Sequence, residues 1–216
     1  LGFESADHPV EPWIDRAVSI ALENGGRLAG VVANASHEDP GASEAESWRN
    51  AFLRMAYWRN RFVAFGVIAD AVETAITWDR FPAFYRSITR EMNEAIAEIT
   101  GHSCSFSCRI THIYPDGPAP YFTFYAVGDT RGKLHNALEK WKRIKALAMQ
   151  LIVDHGGTIT HHHAVGRDHR GGYERQASPL FRSTLSAAKA HVDPAGLLNP
   201  GVLIDPAGKA VGITGV

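Results

Sequence analysis

The sequence predicts an α+β fold: an antiparallel sheet flanked by helices, with a further helical segment towards the C-terminal end. Three observations predict it. Residues 103–114 and 121–127 alternate polar and apolar side chains with a period of two, as half-buried strands do. The stretch between them, Pro115-Asp116-Gly117-Pro118-Ala119-Pro120, is turn-rich and joins them as a hairpin. Several longer segments repeat apolar residues at helical spacing.

In chain order, a helix over about 11–24 carries Ile14, Val18, Ala21 and Leu22 on one face and stops at Gly25-Gly26. Residues 27–33 read as a strand, 43–58 as a second helix, and part of 62–76 as another strand. Asp79 is placed to cap a third helix, with Pro82 in its first turn, Phe84, Ile88, Met92, Ile96 and Ile99 inward, and Gly101 as its end. In the strand over 103–114, Cys104, Phe106, Cys108, Ile110 and Tyr114 face the core; Ser103, Ser105, Ser107, Arg109 and Thr111 face away. Register follows from burial: Phe122 and Phe124 join Phe106 and Ile110, because a slip of one residue would expose them. Tyr121, Thr123 and Tyr125 then share the polar face with Arg109 and Thr111, and helices on one side leave that face free to line a pocket. The longest helix covers about 130–155, with Leu134, Leu138, Trp141, Ala148 and Leu151 inward and Gly156-Gly157 closing it. A strand over 158–162 and a last helix over 173–192, stopped by Asp193-Pro194, complete the set.

Composition narrows the function classes. A chain of 216 residues, 45% apolar and 21% charged, buries a core without staples and is not disordered. The 22 Lys and Arg nearly balance the 23 Asp and Glu, which removes the electrostatic case for non-specific binding to nucleic acid or an anionic membrane. No apolar run is long enough to span a bilayer, and the N-terminus has neither an initiator Met nor a signal-peptide layout. The expectation is a processed chain or a piece of a longer one. Cys104 and Cys108 lie about 13 Å apart along one strand, too far for a disulfide. They read as small core residues in a reducing compartment, with the cytoplasm as default.

The segment with most chemical content is Gly156-Gly157-Thr158-Ile159-Thr160-His161-His162-His163-Ala164-Val165-Gly166-Arg167. On an extended chain His161 and His163 point to one side and His162 to the other. Adjacent imidazoles suit acid–base work beside a cofactor. A metal site and a structural cluster are the competing readings. The chain has no H-E-x-x-H and no clear carboxylate partner nearby in sequence, so no metal ligands are assigned. Arg59 is either an anion clamp or a surface arginine, and Tyr121 either a phenol near substrate or a hairpin aromatic. There is no G-x-G-x-x-G after a strand and no P-loop, so the chain carries no nucleotide cradle of its own.

Four blocks together resemble the alkyldihydroxyacetonephosphate synthases of the vanillyl-alcohol-oxidase-type FAD-linked oxidase family. They are Glu73-Thr74-Ala75-Ile76-Thr77-Trp78-Asp79-Arg80, Ser107-Cys108-Arg109-Ile110-Thr111, Tyr121-Phe122-Thr123-Phe124, and Gly156-Gly157-Thr158 through the triple histidine to Gly166. The resemblance covers about residues 2–203. It implies a substrate-binding cap over residues 1–160, then an active-site histidine segment and C-terminal helix and tail over 161–216. These would pack on an FAD-binding domain that precedes them in the family and has no counterpart here, so these residues alone are expected to hold little flavin. By motif position, Tyr121, His162 and His163 match catalytic residues, Arg59 and Arg109 substrate-binding ones, and His161 and Asn199 cofactor-binding ones. The implied cofactor is FAD. The implied reaction exchanges the acyl group of an acyl-dihydroxyacetone phosphate for a fatty alcohol, with residues about 62–72 lining an apolar channel. Peripheral membrane contact and a homodimer stay open. Ala164 stands where those synthases have Gly, and the tail from Asp193 to Gly201 looks more like the FAD-linked oxidases. An oxidase or dehydrogenase of a 2-hydroxy acid or alcohol is therefore carried alongside, as is a non-catalytic cap that binds lipid or metal.

Overall fold

The computed structural model describes residues 3, 5–28, 40–129 and 132–205. The chain separates into two compact units, Leu1–Ala56 and Tyr57–Val216, a different division from the functional boundary expected after residue 160. In the first unit, helix α1 (Glu11–Glu23) buries none of its residues. It ends as the sequence predicts: Gly25 takes φ 79°, and the Gly26 N–H turns back to the Ala21 carbonyl at 2.8 Å. Arg27 and Leu28 lie in no strand, and the rest of the strand expected there falls outside the described residues. Helix α2 (Pro40–Ala64) starts in this unit and ends in the second, longer at both ends than predicted.

The second unit is built on a three-stranded antiparallel sheet of order β1-β3-β2, formed by β1 (Val67–Glu73), β2 (Ser105–Ile113) and β3 (Pro118–Val127). Its register is the one that burial demands. Phe106 pairs with Phe124, Cys108 with Phe122 and Arg109 with Tyr121. On the other side Val72 pairs with Phe122 and Glu73 with Tyr121. Phe122 and Phe124 are fully buried, packed with Val72 and Ile68 beneath helices α3 (Phe81–Thr100) and α4 (Leu134–Asp154). Pro118 and Pro120 are tolerated at the start of a central strand because only their carbonyls are needed there. These accept the N–H groups of Ile76 and Thr74.

In α3 the predicted apolar face is the buried one: Phe84, Ile88, Met92 and Ile96 are inward, Ile99 packs at the margin, and Gly101 ends the helix at φ 76°. Its N-cap is Arg80, without a side-chain cap; Asp79 sits one residue too early to fill that place. In α4 the inward face is Ile144, Lys145, Ala148, Met149 and Ile152, with Trp141 and Leu151 at its edge. Leu134 and Leu138, expected inward, are 63% and 43% exposed, because they border an open cavity with Val67, Ile68 and Trp141 instead of the closed core. The single last helix expected over 173–192 is two, α5 (Arg170–Gln176) and α6 (Pro179–Val192). Pro179 cannot continue a helix, but it starts the next one, capped by the Ser178 side chain.

Two departures decide the site. The β2–β3 pairing slips between Ile110 and His112: Ile110 pairs with Pro120, while His112 pairs with Ala119. This bulge makes Thr111 an extra residue and turns everything after it over. Ile110 is 41% exposed instead of buried. His112 and Tyr114 join the face of Tyr121 instead of the core. The strand expected over 158–162 does not form. Thr158 docks beside the end of β1, its N–H on the Ala75 carbonyl and its own carbonyl taking the Thr74 hydroxyl at 2.6 Å, and the chain then bends away. Gly157 permits that docking, because a Cβ there would lie 2.6 Å from Thr74 Oγ1. Both cysteines are free and half-buried; burial pushes the Cys108 thiol up to about 11. Among the described residues no helix is long and apolar enough to cross a membrane.

Candidate active site

The polar face of the sheet carries one buried carboxylate, and the histidine segment wraps around it. Glu73 ends β1 opposite Tyr121 and is 1% exposed. Its Oε1 accepts the backbone N–H of His161 at 3.1 Å, the N–H of His163 and the Thr160 hydroxyl at 3.0 Å. Its Oε2 makes no hydrogen bond, though Nδ1 of His162 is in contact with it; Nδ1 of His163 lies 3.5 Å from Oε1. Folding the chain around one acceptor forces the three histidines onto the same side. His162 and His163 therefore do not alternate as an extended strand requires: their rings are 4.5 Å apart, and His161 is 5.6 Å from His162. Helix α5 anchors the start of the segment through Gln176, which accepts the Ile159 N–H and donates to the Gly157 carbonyl.

Tyr121 stands over this cluster, 5.7 Å from His163 and 6.5 Å from His162. The Arg109 guanidinium lies 4.6 Å from the centre of its ring. Beyond the bulge, His112 lies 4.9 Å from His161 and 5.3 Å from His162, and the Tyr114 hydroxyl is 2.9 Å from Nε2 of His161. Five of the seven residues singled out in the sequence thus meet here: Tyr121, Arg109, His161, His162 and His163. Two do not. Arg59 is held by Asp70 at 3.0 Å, where Trp141 Nε1 and Lys145 also reach that carboxylate; its link to the cluster is the charge that Asp70 exerts on Tyr121 and His163. Asn199 sits in a left-handed turn, φ 45°, its carbonyl taking the Val202 N–H. No recorded contact among the described residues joins either to the histidines.

Sequence reasoning missed Glu73, His112 and Tyr114. The carboxylate partner sought near the histidines is 88 residues earlier, the separation recorded for its bond to His161. Glu73 does open one of the blocks that carry the resemblance, but nothing local in the sequence ties it to the histidines. His112 had no signal, because a bulge is set by pairing across strands.

The protonation states suit proton transfer. Burial is the largest influence on Glu73 and pushes its carboxyl up, but the donors from His163, His161 and Thr160 outweigh it and hold it below its usual range. Burial pushes the His163 imidazole down, opposed by Glu73, so it is neutral at pH 7. Burial pushes the Tyr121 phenol up, opposed by Arg109, which keeps it a proton donor. Stability should follow. Groups with depressed folded pKa values contribute stability above their unfolded values and lose it as pH falls. Burial also depresses His169. On acidification the urea midpoint should fall first below about pH 6.5, as unfolding lets His163 and His169 take protons, and again below about pH 4.3, as Glu73 and Asp193 do, the latter held down at about 2 by Lys189. Glu73→Gln should make the second stage shallower while leaving the Asp193 part; an unchanged acid limb would refute the ionised state of Glu73.

The family model described as "FAD linked oxidases, C-terminal domain" matches residues 2–203. Alkyldihydroxyacetonephosphate synthase of Caenorhabditis elegans is 31% identical over 170 residues, 78% of this chain and 28% of that protein. The synthase of Trypanosoma brucei brucei is 27% identical over 164 residues, 76% of this chain and 26% of that protein. A solved structure of alkyldihydroxyacetonephosphate synthase superposes with a TM-score of 0.53 at 14% identity, over 86% of this chain and 27% of that one, and shares the fold. The chain spans about a quarter of the length of these relatives.

Proposed function

This chain belongs to the FAD linked oxidase C-terminal domain family, and on that premise we propose that it is the substrate-side part of an FAD-dependent enzyme making ether lipid precursors. The reaction exchanges the acyl group of an acyl-dihydroxyacetone phosphate for a fatty alcohol. The carbon–oxygen bond to the acyl group breaks, a fatty acid leaves, and the alcohol oxygen forms the new bond, with no net change of oxidation state. The observation that carries this reading is the meeting of Tyr121, His162, His163 and Arg109 around one buried carboxylate, in a chain most of which aligns with synthases of that name.

The residues fit one part of the cofactor. Exposed imidazoles and a phenol present the donors and acceptors that the polar edge of an isoalloxazine ring needs, whereas no glycine-rich cradle for its phosphates is present in the sequence. The resemblance assigns His161 and Asn199 to the cofactor, with its main grip in a separate FAD-binding domain. When bound, the flavin supplies the electrophilic centre of the exchange. This chain's residues do the rest. The histidines accept the carbon-bound proton and Tyr121 donates a proton, general acid–base work worth typically 10²–10⁴-fold. Arg109, exposed beside Tyr121, offers an anion the charge it needs. Arg59 lines an apolar cavity of about 330 Å³ with Val63, Val67, Ile68, Leu138 and Trp141, which supports the expected channel over 62–72. To hold a phosphate, Arg59 must leave Asp70, whose carboxylate Lys145 and Trp141 Nε1 continue to hold.

The alternative is oxidation of a 2-hydroxy acid or alcohol, and one experiment separates the two. Full-length flavin-loaded protein is mixed anaerobically with acyl-dihydroxyacetone phosphate and a radiolabelled fatty alcohol, and separately with a panel of 2-hydroxy acids. The expected result is label in an ether product and a flavin spectrum that stays oxidised at steady state. Net bleaching by a hydroxy acid, with no labelled ether, would overturn the proposal.

A further inference from the structure

We propose that Glu73 is the positioning residue that fixes His162 as its Nδ1–H tautomer, leaving the lone pair on Nε2 to take the substrate's proton. The inference deepens the reading above and rests on it for the identity of that proton. Its physical content lies in how the two oxygens of one carboxylate are used. Oε1 is saturated by the His161 and His163 N–H groups and the Thr160 hydroxyl. Oε2 makes no hydrogen bond at all, and the polar atom in contact with it is Nδ1 of His162, which touches it off the line of an N–H bond. An ionised carboxylate only accepts, so a lone pair on that nitrogen would leave a buried anionic oxygen against another acceptor. A proton on Nδ1 removes the conflict.

His161 Nδ1 lies 3.4 Å from the same nitrogen, a longer contact with a ring rather than a carboxylate, and the Tyr114 hydroxyl already meets the other nitrogen of the His161 ring. The His162 side chain is 44% exposed, so the ring is held at one nitrogen and open on the side where substrate arrives. The backbone bonds to His161 and His163 hold the ring's two neighbours, which restrains its position as well as its tautomer. Glu73 thus acts through His162 and touches no substrate itself.

The test is direct. In the chain labelled with ¹⁵N-histidine, long-range ¹H–¹⁵N spectra at pH 8 distinguish a protonated from an unprotonated ring nitrogen. His162, assigned by the signal lost in His162→Gln, should show a protonated Nδ1 and a bare Nε2. Glu73→Gln should reverse it, because the amide nitrogen would donate to Nδ1. In full-length flavin-loaded enzyme the same variant should lower kcat by on the order of 10⁴, the size of a wrong-tautomer effect, with KM within a few-fold. Glu73→Asp should restore part of the loss. A wild-type His162 in the Nε2–H form overturns the proposal without any variant, and so does a Glu73→Gln enzyme with normal kcat. If the flavin experiment above fails while the tautomer stands, the reaction has been misread and the positioning role has not.

Discussion

Tyr121→Phe in the full-length flavin-loaded enzyme is expected to abolish turnover, lowering kcat by at least about 10³ while KM changes little. The reasons lie in the strand. Tyr121 is placed by its register opposite Glu73 on one side and Arg109 on the other, so its ring cannot leave the histidines without moving the sheet. Removing the hydroxyl alters neither packing nor register; it removes a protonated phenol kept so by burial. A loss confined to KM would assign the hydroxyl to binding, and full turnover would end its catalytic role. His162→Ala would be the less clean test, because it also leaves Glu73 Oε2 facing an empty space.

Phe122→Ala is expected to destabilise the chain by about 3–5 kcal/mol. The next residue along the strand points the opposite way and does the opposite work. Phe122 is fully buried, with Phe106 at 5.5 Å, Phe84 at 6.2 Å and Tyr85 at 6.5 Å around its ring. It also joins β1, β2 and α3 into one core. The neighbours that would have to close the cavity are themselves held by two helices and two strands, so little collapse is available. Urea denaturation followed by circular dichroism measures the cost. The control is Leu134→Ala, 63% exposed on α4, expected within about 0.5 kcal/mol of the parent. A Phe122→Ala cost under 1 kcal/mol would refute the core drawn here.

The two substitutions also explain what was legible. Alternation along 121–127 is a local property of the chain, and one buried face is enough to choose between its two registers. The apolar face of α3 and its Gly101 stop were readable for the same reason: each is written within one turn or one strand. The failures share an opposite cause. Leu134 and Leu138 have helical spacing as good as that of Ile144 and Ala148, yet whether a turn of α4 meets a closed core or an open cavity is decided by the elements opposite it. The bulge at Thr111 is invisible in a single strand because it exists only as a mismatch with β3.

The sequence by itself determined the α+β class, the strand register as far as the bulge, the core phenylalanines and the residue types able to move a proton. It also carried the family, since the triple histidine and the blocks around it are contiguous in the chain. Only the tertiary structure decided how those residues meet. Glu73 is remote in sequence from the histidines it holds, and nothing local assigns it to them. A buried carboxylate must find donors wherever the fold supplies them, and here the donors are the backbone of the histidine segment. That need bends an expected strand, gathers three imidazoles on one side, and leaves one oxygen for His162. Periodicity reports which face a residue takes; it carries no account of which distant polar group must be satisfied, and that account builds the site.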